Sequence, residues 1–158
     1  MYKVWMLAAA VTLAPLAAHA QVSLDRPHQI LGEGVQRNVQ GNFADAEKKL
    51  REALREDPTL REGHYNLGVA LREQGQFAEA AHEFHIASKL FTDEPRIAQS
   101  LYGEALAREA LGDTHAWDHY LAFARPKAVE QPAVEIAKER REALNGVIVP
   151  GEYQKAAR

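Results

Sequence analysis

Residues 64–91 read HYNLGVALREQGQFAEAAHEFHIASKLF. Gly75, Phe77, Ala80, Phe84 and Ala87 in this stretch each have a counterpart 34 residues earlier: Gly41, Phe43, Ala46, Leu50 and Ala53. Gly68 is matched in the same way by Gly34. Beyond residue 91 the spacing lengthens to 37, which pairs Pro58 with Pro95, Tyr65 with Tyr102, Gly75 with Gly112, Phe84 with Leu121 and Ala87 with Ala124. Three residues are therefore inserted near 91–94. A fixed period of this length marks stacked supersecondary units, each unable to bury its apolar face alone.

The repeated residues predict two antiparallel helices per unit, joined by a tight turn. Gly41, Gly75 and Gly112 fall where the first helix must end, a place that favours the left-handed conformation glycine adopts freely. Small residues such as Gly34, Gly68, Ala46 and Ala80 let paired helices approach. Large ones such as Leu50, Phe77, Phe84 and Leu121 fill the space between successive pairs. Pro58 and Pro95 punctuate the boundaries. Alanine, leucine, glutamate and arginine dominate the chain, and all favour helix.

Residues 64–91 resemble the tetratricopeptide-repeat (TPR) consensus, with Leu67, Gly68, Gly75, Phe77, Ala80, Phe84 and Ala87 on its signature positions. Residues 27–58 resemble it in their second half, GNFADAEKKLREALREDP. The third unit, from about residue 97 to 124, departs further: Trp117 stands where a small alanine is usual and Thr114 where an aromatic is usual. A splayed helix pair is expected there. The resemblance implies an all-α fold, an α-solenoid of about three TPR helix-turn-helix repeats over residues 27–125 (about 27–60, 61–97 and 98–126). Residues 132–146 read as a C-terminal capping helix, with Val134, Ile136, Ala137, Ala143 and Leu144 apolar, a charged opposite face and Gly146 placed to stop it. Such a cap covers the apolar side that a last repeat leaves open. Residues 147–158 carry no pattern and read as a mobile tail.

The N-terminus, MYKVWMLAAAVTLAPLAAHA, has the layout of a signal peptide: Lys3, an apolar stretch from Val4 to Leu16, and the cleavage tripeptide Ala18-His19-Ala20. Residues 1–20 are expected to be removed, leaving 21–26 as an N-terminal extension. The apolar run is short for a membrane span, which takes roughly 20 residues. A periplasmic protein is expected if the cell is Gram-negative. The chain has no cysteine, which excludes disulfides and thiolate sites and fits an oxidising compartment.

Composition and motifs exclude several functions. A net charge of -3 leaves no basic footprint for nucleic acid. No serine lies in a G-x-S-x-G elbow, no glycine-rich phosphate loop exists, and carboxylates sit beside lysine and arginine on helix faces. The chain therefore reads as no enzyme, with no cofactor. His82-Glu83-Phe84-His85 is not the metalloprotease signature, which needs histidines at i and i+4 flanking a glutamate; here the spacing is i, i+3 and Phe84 is a core position. His82, His85, His115 and His119 nonetheless project from second helices of the last two repeats, with His82 and His119 at equivalent positions. They form an alternative, metal-binding reading of the convex face, since such pairs chelate zinc, copper or nickel.

The resemblance also implies a concave groove lined by first helices. Its groove positions fall on Leu31 and Val35 in the first repeat, on Glu62, Tyr65, Asn66, Val69, Arg72 and Glu73 in the second, and on Gln99, Tyr102, Leu106 and Glu109 in the third. Tyrosines and arginine are residues that carry binding energy at protein interfaces. The carboxylate clamp by which some TPR proteins hold heat-shock chaperones is absent: Asn66 matches one clamp position, but Leu31, Val35, Gln99 and Gly103 stand at the others. The expected partner is another protein, presenting an extended or helical segment. Self-association into a homo-oligomer is the alternative.

Overall fold

A computed structural model of the chain describes residues 14–124 and 131–146. Among these are seven helices and no strand: α1 (Ala14–Val39), α2 (Phe43–Glu56), α3 (Arg61–Glu73), α4 (Phe77–Leu90), α5 (Glu94–Ala110), α6 (Asp118–Ala124) and α7 (Gln131–Leu144). They form three antiparallel pairs, α1/α2, α3/α4 and α5/α6, followed by α7 as the cap. The architecture is the all-α solenoid expected from the sequence. None of the described helices is long and apolar enough to cross a membrane. The expected tail lies outside the described residues, as does the signal segment up to Leu13. From Ala14 onward α1 runs unbroken through the expected cleavage point and through 21–26.

The same glycine turn closes the first helix of every pair. Gly41, Gly75 and Gly112 have φ of 75°, 76° and 78°. Gly75 N–H donates to the Arg72 carbonyl and Gln76 N–H to that of Leu71, both at 2.9 Å. The same two bonds recur from Gly41 to Asn38 and Asn42 to Arg37, and from Gly112 to Glu109 and Asp113 to Arg108. This is the Schellman closure, in which a left-handed residue lets two N–H groups satisfy the last free carbonyls of a helix. Gly146, at φ 74°, ends α7 similarly.

The odd-numbered helices α1, α3 and α5 pack on one another in sequence, while α2 and α4 each pack against the odd-numbered helices on either side. The odd helices thus form the inner layer and the even ones the outer. Between layers, Ala46, Ala53, Ala80 and Ala87 are fully buried and allow close approach. The closest contacts are glycine against a large side chain. A Cβ on Gly34 would stand 2.7 Å from Leu50 Cγ, and one on Gly68 would stand 3.0 Å from the Phe84 ring. Phe84 is confined on a second side as well, since a Cβ on Gly103 of α5 would come within 2.8 Å of it. The ring therefore sits between the inner helices of two successive repeats.

The third pair differs from the other two, for a reason visible in its sequence. Counted by the 37-residue register, α6 should begin at Thr114, opposite Phe77. It begins at Asp118, and residues 114–117 form turns. Trp117 takes the position of Ala80 and is fully buried. An indole cannot lie flush between helices as a methyl does, so α6 starts late and the ring fills the gap. Tyr102 and Tyr120 meet the indole edge-on at 5.2 and 6.1 Å. Val134 and Ala137 of α7 complete the same cluster. The three inserted residues fall between α4 and α5. There Phe91 is buried beneath the guanidinium groups of Arg61 and Arg96, and the Asp93 side chain caps α5 by accepting from Arg96 N–H at 3.1 Å.

Two glycine substitutions should move stability in opposite directions. Gly103→Ala drives a methyl into the Phe84 ring and should cost about 1–3 kcal/mol. Gly32→Ala, on exposed helix with nothing within 4 Å of the added carbon, should stabilise by about 0.5–1 kcal/mol. Urea denaturation of the two variants beside the parent chain measures both; equal effects would mean that Phe84 is free to move aside.

Candidate functional site

The inner layer carries a regular ladder. Leu31, Tyr65 and Tyr102 occupy equivalent positions on α1, α3 and α5, and Val35, Val69 and Leu106 form the next rung. All six are partly buried; Leu31, Tyr65 and Val69 pack against one core cluster and Tyr102 and Leu106 against the next. Tyr65 stands edge-on to Phe84 at 5.5 Å, and Tyr102 contacts Trp117 and Tyr120 in the same manner. Both tyrosines are thereby held in fixed orientations. Burial pushes the Tyr65 hydroxyl pKa up, against an opposing pull from Arg72.

Polar residues around the ladder are largely paired. Glu62 accepts from Arg96 at 2.6 Å and from Arg61 at 3.3 Å. Arg72 pairs with Glu73 at 2.6 Å. Asn66 donates to the Glu62 carbonyl at 2.7 Å, while its own carbonyl accepts from Asn38 of α1 at 2.8 Å. Gln99 is exposed. Glu109, expected among the groove residues, is committed inside the molecule: it accepts from Trp117 Nε1 at 2.6 Å and from Arg140 Nε and Nη2, each at 2.9 Å. It joins α5 and the turn before α6 to the capping helix instead of offering a free carboxylate.

The outer side is stitched by histidine–carboxylate contacts. His64 Nδ1 lies 2.6 Å from Glu83 Oε2, and its Nε2 lies 3.0 Å from the Pro58 carbonyl oxygen. Beside this pair a cleft of about 450 Å³ opens between α2 and α4, floored by Leu54 and Leu67 and rimmed by Lys48, Arg51 and Arg55. One repeat further on, Glu104 takes the place of Leu67. It is fully buried, with His85 Nδ1 at 3.1 Å and His119 Nδ1 at 3.2 Å. Arg108 Nε lies 2.9 Å from the same carboxylate, an ion pair off the direction of a hydrogen bond.

Of the four histidines singled out from the sequence, the fold unites His85 and His119, with ring centroids 6.1 Å apart. It leaves the other two outside that cluster: His82 is exposed, and His115 turns to Asp118 at 3.0 Å. Glu104 was not among the expected site residues. The signal for it was the register itself, which sets a glutamate opposite a signature leucine.

Comparison with known proteins agrees with the repeat reading. The tetratricopeptide repeat family matches residues 39–84 and again 65–116. No curated protein matches the chain.

The His64–Glu83 pair makes stability pH-dependent. Burial lowers the His64 pKa, but hydrogen bonding to Glu83 and Pro58 and the Glu83 charge outweigh it, leaving the pKa raised above its ordinary 6.5. A raised histidine pKa contributes stability that is complete below the unfolded value and lost as pH rises through the folded one. The melting-temperature advantage of the parent chain over His64→Gln should therefore widen from about pH 8 to about pH 6. A gap that stays constant, or widens toward alkaline pH, would contradict the pairing.

Proposed function

We propose that this chain, whose residues 39–116 are tetratricopeptide repeats, is an exported scaffold or assembly factor of the cell envelope that holds a segment of another protein in its concave groove. Tetratricopeptide repeats generally mediate protein–protein interaction and are typically non-enzymatic. The observation that carries the groove reading is the ladder Leu31/Tyr65/Tyr102 and Val35/Val69/Leu106. It is a two-rung apolar strip across three helices, with its aromatic rings already immobilised from below. Rigid tyrosines lose little further freedom on binding, which favours affinity per unit of contact area. Glu62, Arg96, Arg72, Glu73 and Gln99 supply a polar margin that can exchange its internal pairs for a partner's backbone and charged groups. A segment with apolar side chains at regular intervals suits this surface. Export rests on the signal-like N-terminus, with Gln21 as the expected first residue of the processed chain.

Crosslinking in intact cells, affinity capture and mass spectrometry test the binding. Two variants serve as controls, each first shown to keep its helical signal and melting behaviour. Tyr65→Ala/Arg72→Ala/Tyr102→Ala removes the anchors. Arg72→Glu/Gln99→Arg alters only the margin and leaves the core untouched. A prey depleted at least about tenfold in the first variant, consistent with loss of an interface hot spot, supports the groove. Preys recovered equally from the parent and both variants would place the contact elsewhere, and a dimer by light scattering would favour self-association. N-terminal sequencing of the chain from a periplasmic fraction checks export; an intact Met1 in the cytosolic fraction would reject it.

A further inference from the structure

We propose that His85, Glu104 and His119 form a binding site for one divalent transition-metal ion, with Zn²⁺ the ion their chemistry suits best. The site is independent of the groove, since it lies on the side of the solenoid where α4, α5 and α6 meet. One ligand atom from each residue falls within 4.8 Å of the others. Two imidazole nitrogens and a carboxylate oxygen are the donors of three-ligand zinc sites that keep a fourth position for water. A tetrahedral zinc with bonds of about 2.0–2.1 Å needs its ligand atoms roughly 3.4 Å apart. Closing that difference calls for movement of the two histidine side chains, which are the exposed members of the cluster.

The burial pattern suits an ion. Glu104 is 1% exposed, His85 39% and His119 54%. The anionic ligand is fixed in the core while the neutral ones stand at the surface, so an ion can enter from solvent and meet a desolvated charge. A buried carboxylate at a leucine position is costly unless compensated. Here the compensation is incomplete in geometry, because Arg108 approaches Glu104 without a hydrogen bond from its Nε. Arg108 also has a second carboxylate within reach, Asp113 Oδ2 at 3.4 Å, and can pair there when an ion takes Glu104. Bound metal would join the second helix of repeat two to both helices of repeat three. Of the three helix pairs, α5/α6 is the least extensive, because α6 is short. His82 and His115 have no part in the site.

The test uses the full chain without an affinity tag, stripped with a chelator. ZnCl₂ is titrated calorimetrically, melting is followed with and without Zn²⁺, and Co²⁺ is used as a spectroscopic substitute. The expected result is one ion per chain, a rise in melting temperature and a tetrahedral Co²⁺ spectrum. His119→Ala, at an exposed position that does not endanger folding, should weaken Zn²⁺ binding at least about tenfold. His82→Ala/His115→Ala should bind as the parent does. Absence of binding heat and of any melting shift in the parent chain would overturn the proposal and leave the cluster as a hydrogen-bonded one. Binding undiminished in His119→Ala, or lost in His82→Ala/His115→Ala, would overturn it equally.

Discussion

The contact on which the solenoid depends is that of the Phe84 ring with Gly68 and Gly103. Phe84 belongs to the outer layer, yet it reaches the inner helices of two successive repeats at a distance that leaves no room for a methyl on either. Burial of such a ring is worth about 1.5–3 kcal/mol, but position matters as much as energy. The ring sets the spacing of α3 from α5, and that spacing decides how far apart Tyr65 and Tyr102 stand. The groove ladder is thus fixed from behind by one aromatic side chain. In the first repeat Leu50 against Gly34 does the same with a smaller group.

Polar links in the array differ in how far they are withdrawn from solvent. Some are ion pairs between partly exposed side chains, such as Arg96 to Glu62 and Arg51 to Glu79. Others are built on a buried carboxylate: Glu83 with His64, and Glu104 with His85, His119 and Arg108. Exposed pairs contribute little and exchange partners readily, whereas pairs around a buried carboxylate are costly to break. The exposed pairs can rearrange, while those on Glu83 and Glu104 tie α3 to α4, and both α4 and α6 to α5.

The period of 34, the glycines at positive φ and the alternation of small and large core residues were legible because each is a local requirement of backbone geometry or volume. Gly75 had to be glycine for its turn, and Ala80 had to be small for helices to touch. The departure of the third pair was foreshadowed by Trp117 and Thr114, and in the structure it takes the form of a late start to α6 with an indole in the place of a small residue. The equivalence of Leu31, Tyr65 and Tyr102 followed from the register, but which polar side chains around them are engaged did not. Glu109 and Arg140 are 31 residues apart, and no periodicity links the third repeat to the cap. Glu104 was missed for a similar reason: its two histidine partners lie on different helices, and one-dimensional spacing does not reveal which of several histidines a buried carboxylate will face.

The cap has a consequence for how such an array can grow. Trp117 and Glu109 present the end of the third repeat, and Arg140 covers both, stacking on the indole at 5.5 Å while its fork holds the carboxylate. The helix α7 thereby covers the end of the third repeat that the first helix of a fourth repeat would have to meet. Duplication of a repeat unit inside the array, where Phe84-like joints recur, keeps every interface matched. A unit appended after Ala124 would have to displace α7 and leave an indole and a carboxylate without partners. Lengthening of this chain, by evolution or by design, is therefore easier by internal duplication than by extension at the C-terminal end.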